Sequence, residues 1–418
     1  MAISTVIKSI QDIMRKDTGV DGDAQRIGQL VWILFLKIYD DREQEWELLN
    51  DDYLSPIPKK LRWRNWAADP EGMTGEELKD FIDNTLFPGL QSLKARGDDQ
   101  RAYVIRAVFE DAYNFMKSGQ LIRQVINKIQ EGINFNKSTE RHELGDVYEQ
   151  ILRDLQNAGN AGEFYTPRAV TRFMVNRVDP KLKEIVMDPA CGTGGFLTCT
   201  IDHKREHYVK TINDEKALQS TIHGVEKKPL PHLLATTNMI LHGIDVPSQI
   251  RHDNTLARPL ISWGPKERVH VIVANPPFGG QEEDGIKTNL LFFTKGKPTE
   301  HVWYYEHPYP PGYKSYSKTK PMRFEEFQTE IDWWGDEADG FASRKETEQA
   351  WKVSIEDIQA RNYNLDIKNP HQDEQVSHDP DELLAKYEQQ QADIQKIRDQ
   401  LRNILAEALT RNTDGGAA

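Results

Sequence analysis

The stretch Asp188-Pro189-Ala190-Cys191-Gly192-Thr193-Gly194-Gly195-Phe196 decides how the chain is to be read. It follows Glu184-Ile185-Val186-Met187, a short apolar run of β type, and precedes residues 197–201, which open a helical pattern. A strand, a glycine turn and a helix therefore succeed one another. Gly192, Gly194 and Gly195 free the backbone to take positive φ and leave no Cβ in the way of a small molecule. Asp188 ends the strand over the carboxyl edge of a sheet, where α/β folds hold their ligands. The same turn also occurs where a helix merely packs close to a strand, so alone it names no ligand.

Downstream, from residue 185 to about 277, apolar runs of strand type alternate with helical patterns, the mark of a parallel, doubly wound sheet. Residues 221–226 read as the second strand, and it ends in Glu226; a carboxylate there suits ribose hydroxyls. A run at 249–251 leads to Asp253 and Asn254, placed as a third strand end. The apolar run 269–274 stops at Asn275-Pro276-Pro277-Phe278, where two prolines force the chain out of the sheet at its carboxyl edge. An amino group conjugated to a purine is a poor nucleophile. It improves when two acceptors, the Asn275 side-chain oxygen and the Pro276 carbonyl, hold its hydrogens. Phe278 offers an aromatic face to a base flipped out of a duplex. A proline-rich loop after a strand is the bland alternative.

Upstream, residues 1–160 carry helix periodicity almost throughout. Ile27, Leu30, Val31, Leu34 and Phe35 form one apolar stripe, and Ile122, Val125, Ile126 and Ile129 another. Residues 19–22, 56–58 and 70–75 punctuate the helices as loops, and Trp46, Trp63 and Trp66 are expected in the core. A further amphipathic helix at 144–155 runs into Asn157-Ala158-Gly159-Asn160-Ala161-Gly162 and then Glu163-Phe164-Tyr165-Thr166-Pro167-Arg168-Ala169-Val170. Thr166 can cap the next helix and Pro167 can take its first turn. Two aromatics ahead of a helix amino terminus can close over a flat ligand with a charged tail, although an ordinary helix start has the same pattern.

At 418 residues the chain has length for two or three domains. A net charge of −13 supplies no global positive field, so DNA contact needs local basic patches or a partner. The two cysteines, Cys191 and Cys199, cannot staple a chain of this size and suit a reduced, cytoplasmic protein. The apolar run 30–36 is too short to span a bilayer, and residues 1–10 lack a signal peptide's apolar block, so no membrane role is expected. No zinc-type cluster of His and Cys is present, and no metal is expected.

The ordered set of the 163–170 segment, the 188–196 loop, Glu226, Asp253 and the Asn275 motif resembles the modification (M) subunit of type I restriction-modification systems. These are adenine-specific DNA methyltransferases that use S-adenosyl-L-methionine. The similarity covers nearly the whole chain, including Arg361-Asn362-Tyr363-Asn364-Leu365-Asp366. It implies an α/β fold, a Rossmann-like methyltransferase sheet, with an all-helical amino-terminal domain and a carboxyl-terminal helical tail. The resemblance assigns the cofactor to Glu163, Phe164, Tyr165, Thr166, Pro167 and Arg168, and to Asp188, Ala190, Gly192, Thr193, Gly194, Gly195 and Phe196. It gives Glu226 the ribose and sets Asp253 and Asn254 near the cofactor's adenine. The target adenine falls to Asn275, Pro276, Pro277 and Phe278. Implied partners are double-stranded DNA, a specificity (S) subunit that reads the bases, a restriction (R) subunit and a second M copy.

One departure stands out. Between Phe278 and the β-like run 290–293 only Gly-Gly-Gln-Glu-Glu-Asp-Gly-Ile-Lys-Thr-Asn intervenes, too short for a parallel crossover, so the sheet is expected to be shortened after residue 278. Residues 290–293 and 302–305 suggest a hairpin. The expected division is a helical domain at 1–160, a methyltransferase domain at 161–305, an irregular connection at 306–380 and a helix with tail at 381–418. In that helix Tyr387, Ile394, Leu401 and Ala408 repeat every seven residues, with Leu383, Ile397 and Ile404 between them, giving an apolar seam for the chain's own domain or for another subunit. Two rivals remain, a protein-glutamine methyltransferase and a cofactor-binding structural subunit with impaired catalysis; a nicotinamide dehydrogenase is disfavoured, since nothing in the sequence resembles a hydride-transfer acid.

Overall fold

The computed structural model describes residues 3–94, 99–133, 148, 166–276, 288–296, 298–313, 315–317, 320–371 and 380–413. The expected helix at 144–155, apart from Tyr148, and Glu163, Phe164, Tyr165, Pro277 and Phe278 lie outside the described residues. The chain divides into two compact units, Met1–Lys295 with Tyr313–Ile331, and Gly296–Gly312 with Asp332–Ala418.

The first unit opens with helices α1 (Ile3–Met14), α2 (Asp23–Leu49), α3 (Trp63–Trp66), α4 (Gly75–Phe81), α5 (Phe87–Gln91), α6 (Arg101–Phe109) and α7 (Gly119–Gly132). Both expected stripes are buried, as are Trp46, Trp63 and Trp66. Residues 29–41 of α2 are buried on every side, which makes α2 the axis of this region. Helix α7 starts where the Ser118 hydroxyl accepts from the Leu121 N–H at 3.3 Å.

There follow α8 (Arg168–Val178), β1 (Val186–Asp188), α9 (Gly195–His207), α10 (Ile212–Gln219), β2 (Ile222–Glu226), α11 (Pro229–Leu241), β3 (Ile250–His252) and β4 (Val271–Ile272). The strands are parallel in the order β3-β2-β1-β4. Leu233, Leu234 and Ile240 of α11 join the core built by α1 to α7, so the helical region and the sheet's own helix share one apolar interior. A second core unites Leu197 and Ile201 of α9 with Met239 of α11 and Ile222 and Ile250 of the sheet.

Of the run 269–274 only Val271 and Ile272 form the strand, with the flanking His270 and Val273 N–H groups bonded to the Ile185 and Met187 carbonyls. β4 is an edge strand among the described residues, and Ile272 is 64% exposed. A parallel sheet has helices on both faces and buries its strands, so an open Ile272 marks where cover is missing beside β4.

The expected hairpin is not formed. Residues 290–293 carry no strand; Phe292 sets its ring edge-on to Phe173 of α8, 6.1 Å between centroids, and Phe173 stacks on Phe327 at 4.3 Å. In the second unit β5 (His301–Tyr305) pairs antiparallel with β6 (Ala350–Ser354), with Tyr304 stacked on Trp351. Cross-strand aromatic pairing selects this distant partner, which no local spacing announces. Residues 306–380, expected as an irregular connection, thus include β6 besides α12 (Gln328–Trp333) and α13 (Ile355–Ala360). The chain's described part ends in α14 (Pro380–Thr413), where Leu384, Tyr387, Ile394, Ile397 and Leu401 are all exposed.

Candidate active site

The order β3-β2-β1-β4 reverses direction between β1 and β4, and the carboxyl edge there is the crevice in which doubly wound sheets bind ligands. β1 delivers the glycine turn to this crevice and β4 delivers Asn275. Val273 donates its N–H to the Met187 carbonyl at 3.0 Å, which locks the two exits side by side.

The glycine turn is held from several directions. Gly192 (φ 53°) and Gly194 (φ 86°) take the left-handed conformation, and Gly194 stands at the cap of α9; Gly195, expected to share it, begins the helix with an ordinary φ. At Gly192 an added Cβ would meet nothing within 4 Å, so the turn faces open space. Gly224 in β2 serves the opposite need. A Cβ there would come within 2.9 Å of Leu197 and 3.0 Å of the Cys191 Sγ, so its absence lets the turn and α9 close on the sheet.

Glu226 reaches across from the end of β2. One carboxylate oxygen accepts the Gly192 N–H at 2.9 Å and the other the Lys228 N–H at 2.7 Å. Asp188 is 2% exposed and accepts the Ala190 N–H at 3.1 Å. Burial raises its pKa to about 7, the Ala190 hydrogen bond opposes that rise, and the charge of Glu226 adds to it. Asp253 is exposed at the end of β3; its backbone N–H meets the Glu226 carbonyl and its side chain accepts from the Asn254 N–H. Asn254 in turn accepts from Leu256 and caps a short 3₁₀ turn.

Thr166, Pro167 and Arg168 approach from the start of α8. Pro167 is the cap residue and the helix begins at Arg168, so Thr166 is not the cap that its sequence position suggests. Its hydroxyl instead accepts from the Asn275 Nδ2 at 2.9 Å. Arg168 donates to the Gly195 carbonyl at 3.0 Å, to the Thr198 hydroxyl, and to Asp202 at 3.2 Å, tying α8 to the first turns of α9. Pro276 is exposed beyond Asn275. Phe196 departs from the expectation: it is 4% exposed in a core with Val175, Val186, Cys199 and Val273, so its ring is packing and not presented to a ligand.

Two residues of the site carried no sequence signal. Asn238 of α11 donates to the Thr193 carbonyl at 3.1 Å, and the Thr255 hydroxyl donates to the Pro189 carbonyl at 2.6 Å. Each braces the turn from an element distant in sequence, where spacing gives no cue. Among the described residues no group of three or more His, Cys, Asp or Glu side chains could hold a metal ion. No helix there is long and apolar enough to cross a membrane.

Known proteins match this arrangement. The family described as N-6 DNA Methylase matches residues 139–287 and 282–379, and the HsdM N-terminal domain matches residues 3–129. The methylase subunit of the type I restriction enzyme EcoEI from Escherichia coli is 58% identical over 489 aligned positions, covering 99% of either chain. Those 489 positions stand against 418 residues here, so at least 71 residues of that relative face none in this chain. The family match breaks into two stretches that meet at 282–287, within the segment whose length departs from the expected pattern. A crystal structure described as the modification subunit of a type I restriction enzyme from Vibrio vulnificus shares 36% identity with a TM-score of 0.75, over 90% of this chain and 99% of that one. A chain from a structure on complex assembly and conformational transition of a type I R-M system shares 29% identity with a TM-score of 0.72, over 97% and 98%.

Proposed function

Because the chain belongs to the methylase subunits of type I restriction enzymes, a family of N6-adenine DNA methyltransferases, we propose that it takes S-adenosyl-L-methionine as donor and methylates the adenine amino nitrogen of double-stranded DNA at Asn275. The observation that carries this reading is the meeting of the glycine turn and Asn275 at the switch point between β1 and β4. The open face at Gly192 and the carboxylate of Glu226 fit a nucleoside with a ribose diol. When bound, the cofactor supplies an electrophilic methyl carbon on a sulfonium.

In this reading Glu226 accepts from the ribose hydroxyls, and Asp253 with Asn254 borders the cofactor's adenine. Asp188, Ala190 and the 192–195 turn, with the segment 163–168, surround its methionine part. Asn275 Oδ1 and the Pro276 carbonyl accept the two hydrogens of the target amino group, which directs the nitrogen lone pair at the methyl carbon. Pro277 stiffens that carbonyl's direction and Phe278 stacks on the flipped base. The amino nitrogen would gain the methyl as the sulfonium S–CH₃ bond breaks with its electron pair left on sulfur, and one proton would pass to solvent, giving the thioether and N6-methyladenine.

The edge position of β4 and the split family match favour a second element of the same reading: the target side is less complete than the cofactor side. A flipped adenine needs contacts that offset an unstacking cost of a few kcal/mol. Catalysis is therefore expected to be impaired more than cofactor binding. The DNA methylase family replaces the protein-glutamine and dehydrogenase alternatives.

The proposed setting is cytoplasmic, in a complex with a specificity subunit, a restriction subunit and a second M copy. The net charge of −13 favours DNA affinity supplied by partners, and the exposed seam of α14 is the proposed docking helix for another subunit. The helical, methyltransferase, connecting and tail segments at 1–160, 161–305, 306–380 and 381–418 are the functional divisions of this reading. Labelled S-adenosyl-L-methionine and DNA, incubated with the chain plus a specificity subunit, test it. Label on adenine N6 that vanishes in Asn275→Ala supports the assignment; transfer that survives that substitution overturns it.

A further inference from the structure

We propose that Thr166 is a positioning residue for methyl transfer, holding the Asn275 side chain by its Nδ2 so that Oδ1 is turned to the amino group that reacts. The inference rests on the reading of Asn275 given above, but it assigns Thr166 a task distinct from holding cofactor.

An asparagine amide is chemically two-faced, with an acceptor at one end and two donors at the other. For the target amino group only the acceptor end is useful, because the donor end would set hydrogen against hydrogen. The 2.9 Å hydrogen bond from Asn275 Nδ2 to the Thr166 Oγ1 occupies the donor end. A hydroxyl can itself donate, so Thr166 tolerates either amide orientation until a substrate amino group demands the acceptor. From then on the Thr166 oxygen accepts, the Asn275 amide is polarised along the chain of bonds, and Oδ1 becomes the stronger acceptor.

The hold comes from a rigid quarter. Two residues on, Arg168 is bonded to the Gly195 carbonyl, Thr198 and Asp202 in the helix that leaves the glycine turn. The acceptor amide on β4 is thereby referenced to the cofactor loop on β1 through residues 166–168. This bracing lies upstream of residue 278, so it does not depend on the segment where the family match breaks. It also accounts for the absence of a Thr166 cap, since its hydroxyl is engaged elsewhere.

The experiment compares Thr166→Val, Thr166→Ser and Asn275→Ala in the chain assembled with a specificity subunit. Three readouts are taken: single-turnover transfer of labelled methyl, S-adenosyl-L-methionine affinity by calorimetry, and the Asn275 side-chain NH₂ signals of asparagine-labelled protein, identified by their loss in Asn275→Ala. Thr166→Val is expected to move those signals to solvent-like positions with faster water exchange. It should slow transfer by about tenfold, the worth of one neutral hydrogen bond, a larger loss than any in cofactor affinity, and Thr166→Ser should restore the rate and the signals. Unmoved Asn275 signals in Thr166→Val overturn the proposal even if the parent chain transfers no methyl. So does a loss of cofactor affinity with the signals intact, which returns Thr166 to the cofactor segment. Full transfer by Asn275→Ala instead removes the functional reading, and the NH₂ signals still report on Thr166 separately.

Discussion

Asp188 sits where the backbone leaves β1, almost without water, and its carboxyl titrates near neutrality for that reason. In the unfolded chain the same group titrates near 3.9. A carboxyl whose folded pKa is raised contributes stability that is fully present below about pH 4 and is lost as pH rises towards 7. Asp188→Asn should therefore be more stable than the parent at pH 8 and gain little at pH 4, read from urea midpoints at the two values. The bound cofactor is cationic, so it should favour the ionised carboxylate. Calorimetry should find S-adenosyl-L-methionine affinity falling as pH drops below about 7, up to about tenfold per unit if one proton is displaced. A flat profile would remove Asp188 from the cofactor's surroundings. Glu226→Ala should cost about 1.5 to 3 kcal/mol of cofactor affinity through lost charged hydrogen bonds, and it also frees the Gly192 and Lys228 N–H groups that the carboxylate holds.

At the scale of elements, α2 is pinned by charge as well as by apolar packing. Arg64 bonds Asp40 at 2.9 Å, Glu43 at 3.2 Å and Glu47 at 2.5 Å, and the Glu43 side chain is fully buried, its pKa raised by desolvation. Without Arg64, the buried Asp40 and Glu43 keep Gln44, Tyr53 and the more distant Arg62 beside them, while Glu47 still reaches water. Arg64→Ala should destabilise the protein by about 1 to 3 kcal/mol in chemical denaturation, whereas an exposed pair such as Arg15 with Asp12 should be nearly silent. α14 is the opposite case, a long helix whose seam residues Ile394, Ile397 and Leu401 face solvent. Placing Asp at Ile397 and Leu401 should abolish association with a specificity subunit in pull-down or sedimentation while leaving the fold intact. Undiminished assembly would rule out α14 as the docking helix.

For the molecule as a whole, the shared core of α11 with α1 to α7 joins regions that the sequence reads as separate domains. Arg42 and Trp46 of α2 both reach Asp245 just past α11, and the buried Tyr148 hydroxyl donates to the Leu234 carbonyl. Leu234→Ala should cost about 2 to 5 kcal/mol and lower the melting of helical region and sheet together, in one calorimetric transition. Two separate transitions would mean that this interface is not cooperative. The open edge at β4 sets the expectation for turnover, namely cofactor bound well and methyl transferred weakly, since each 1.36 kcal/mol lost in the transition state is tenfold in rate.

The sequence by itself determined the parallel sheet, the glycine turn, the acids that end β2 and β3, the helical amino-terminal region and the heptad pattern of α14. Each of these is written in short-range order, as periodicity, glycine at a positive φ, or a proline that ends a strand. Only the tertiary structure decided which strand pairs with β5, that α11 belongs to two cores, and that Asn238 and Thr255 brace the turn. It also turned Phe196 into the core and Thr166 away from capping towards Asn275. Those outcomes depend on contacts between residues far apart in the chain, whose partners are selected by packing and by the need to satisfy each half-buried donor, and neither leaves a period or a spacing to read.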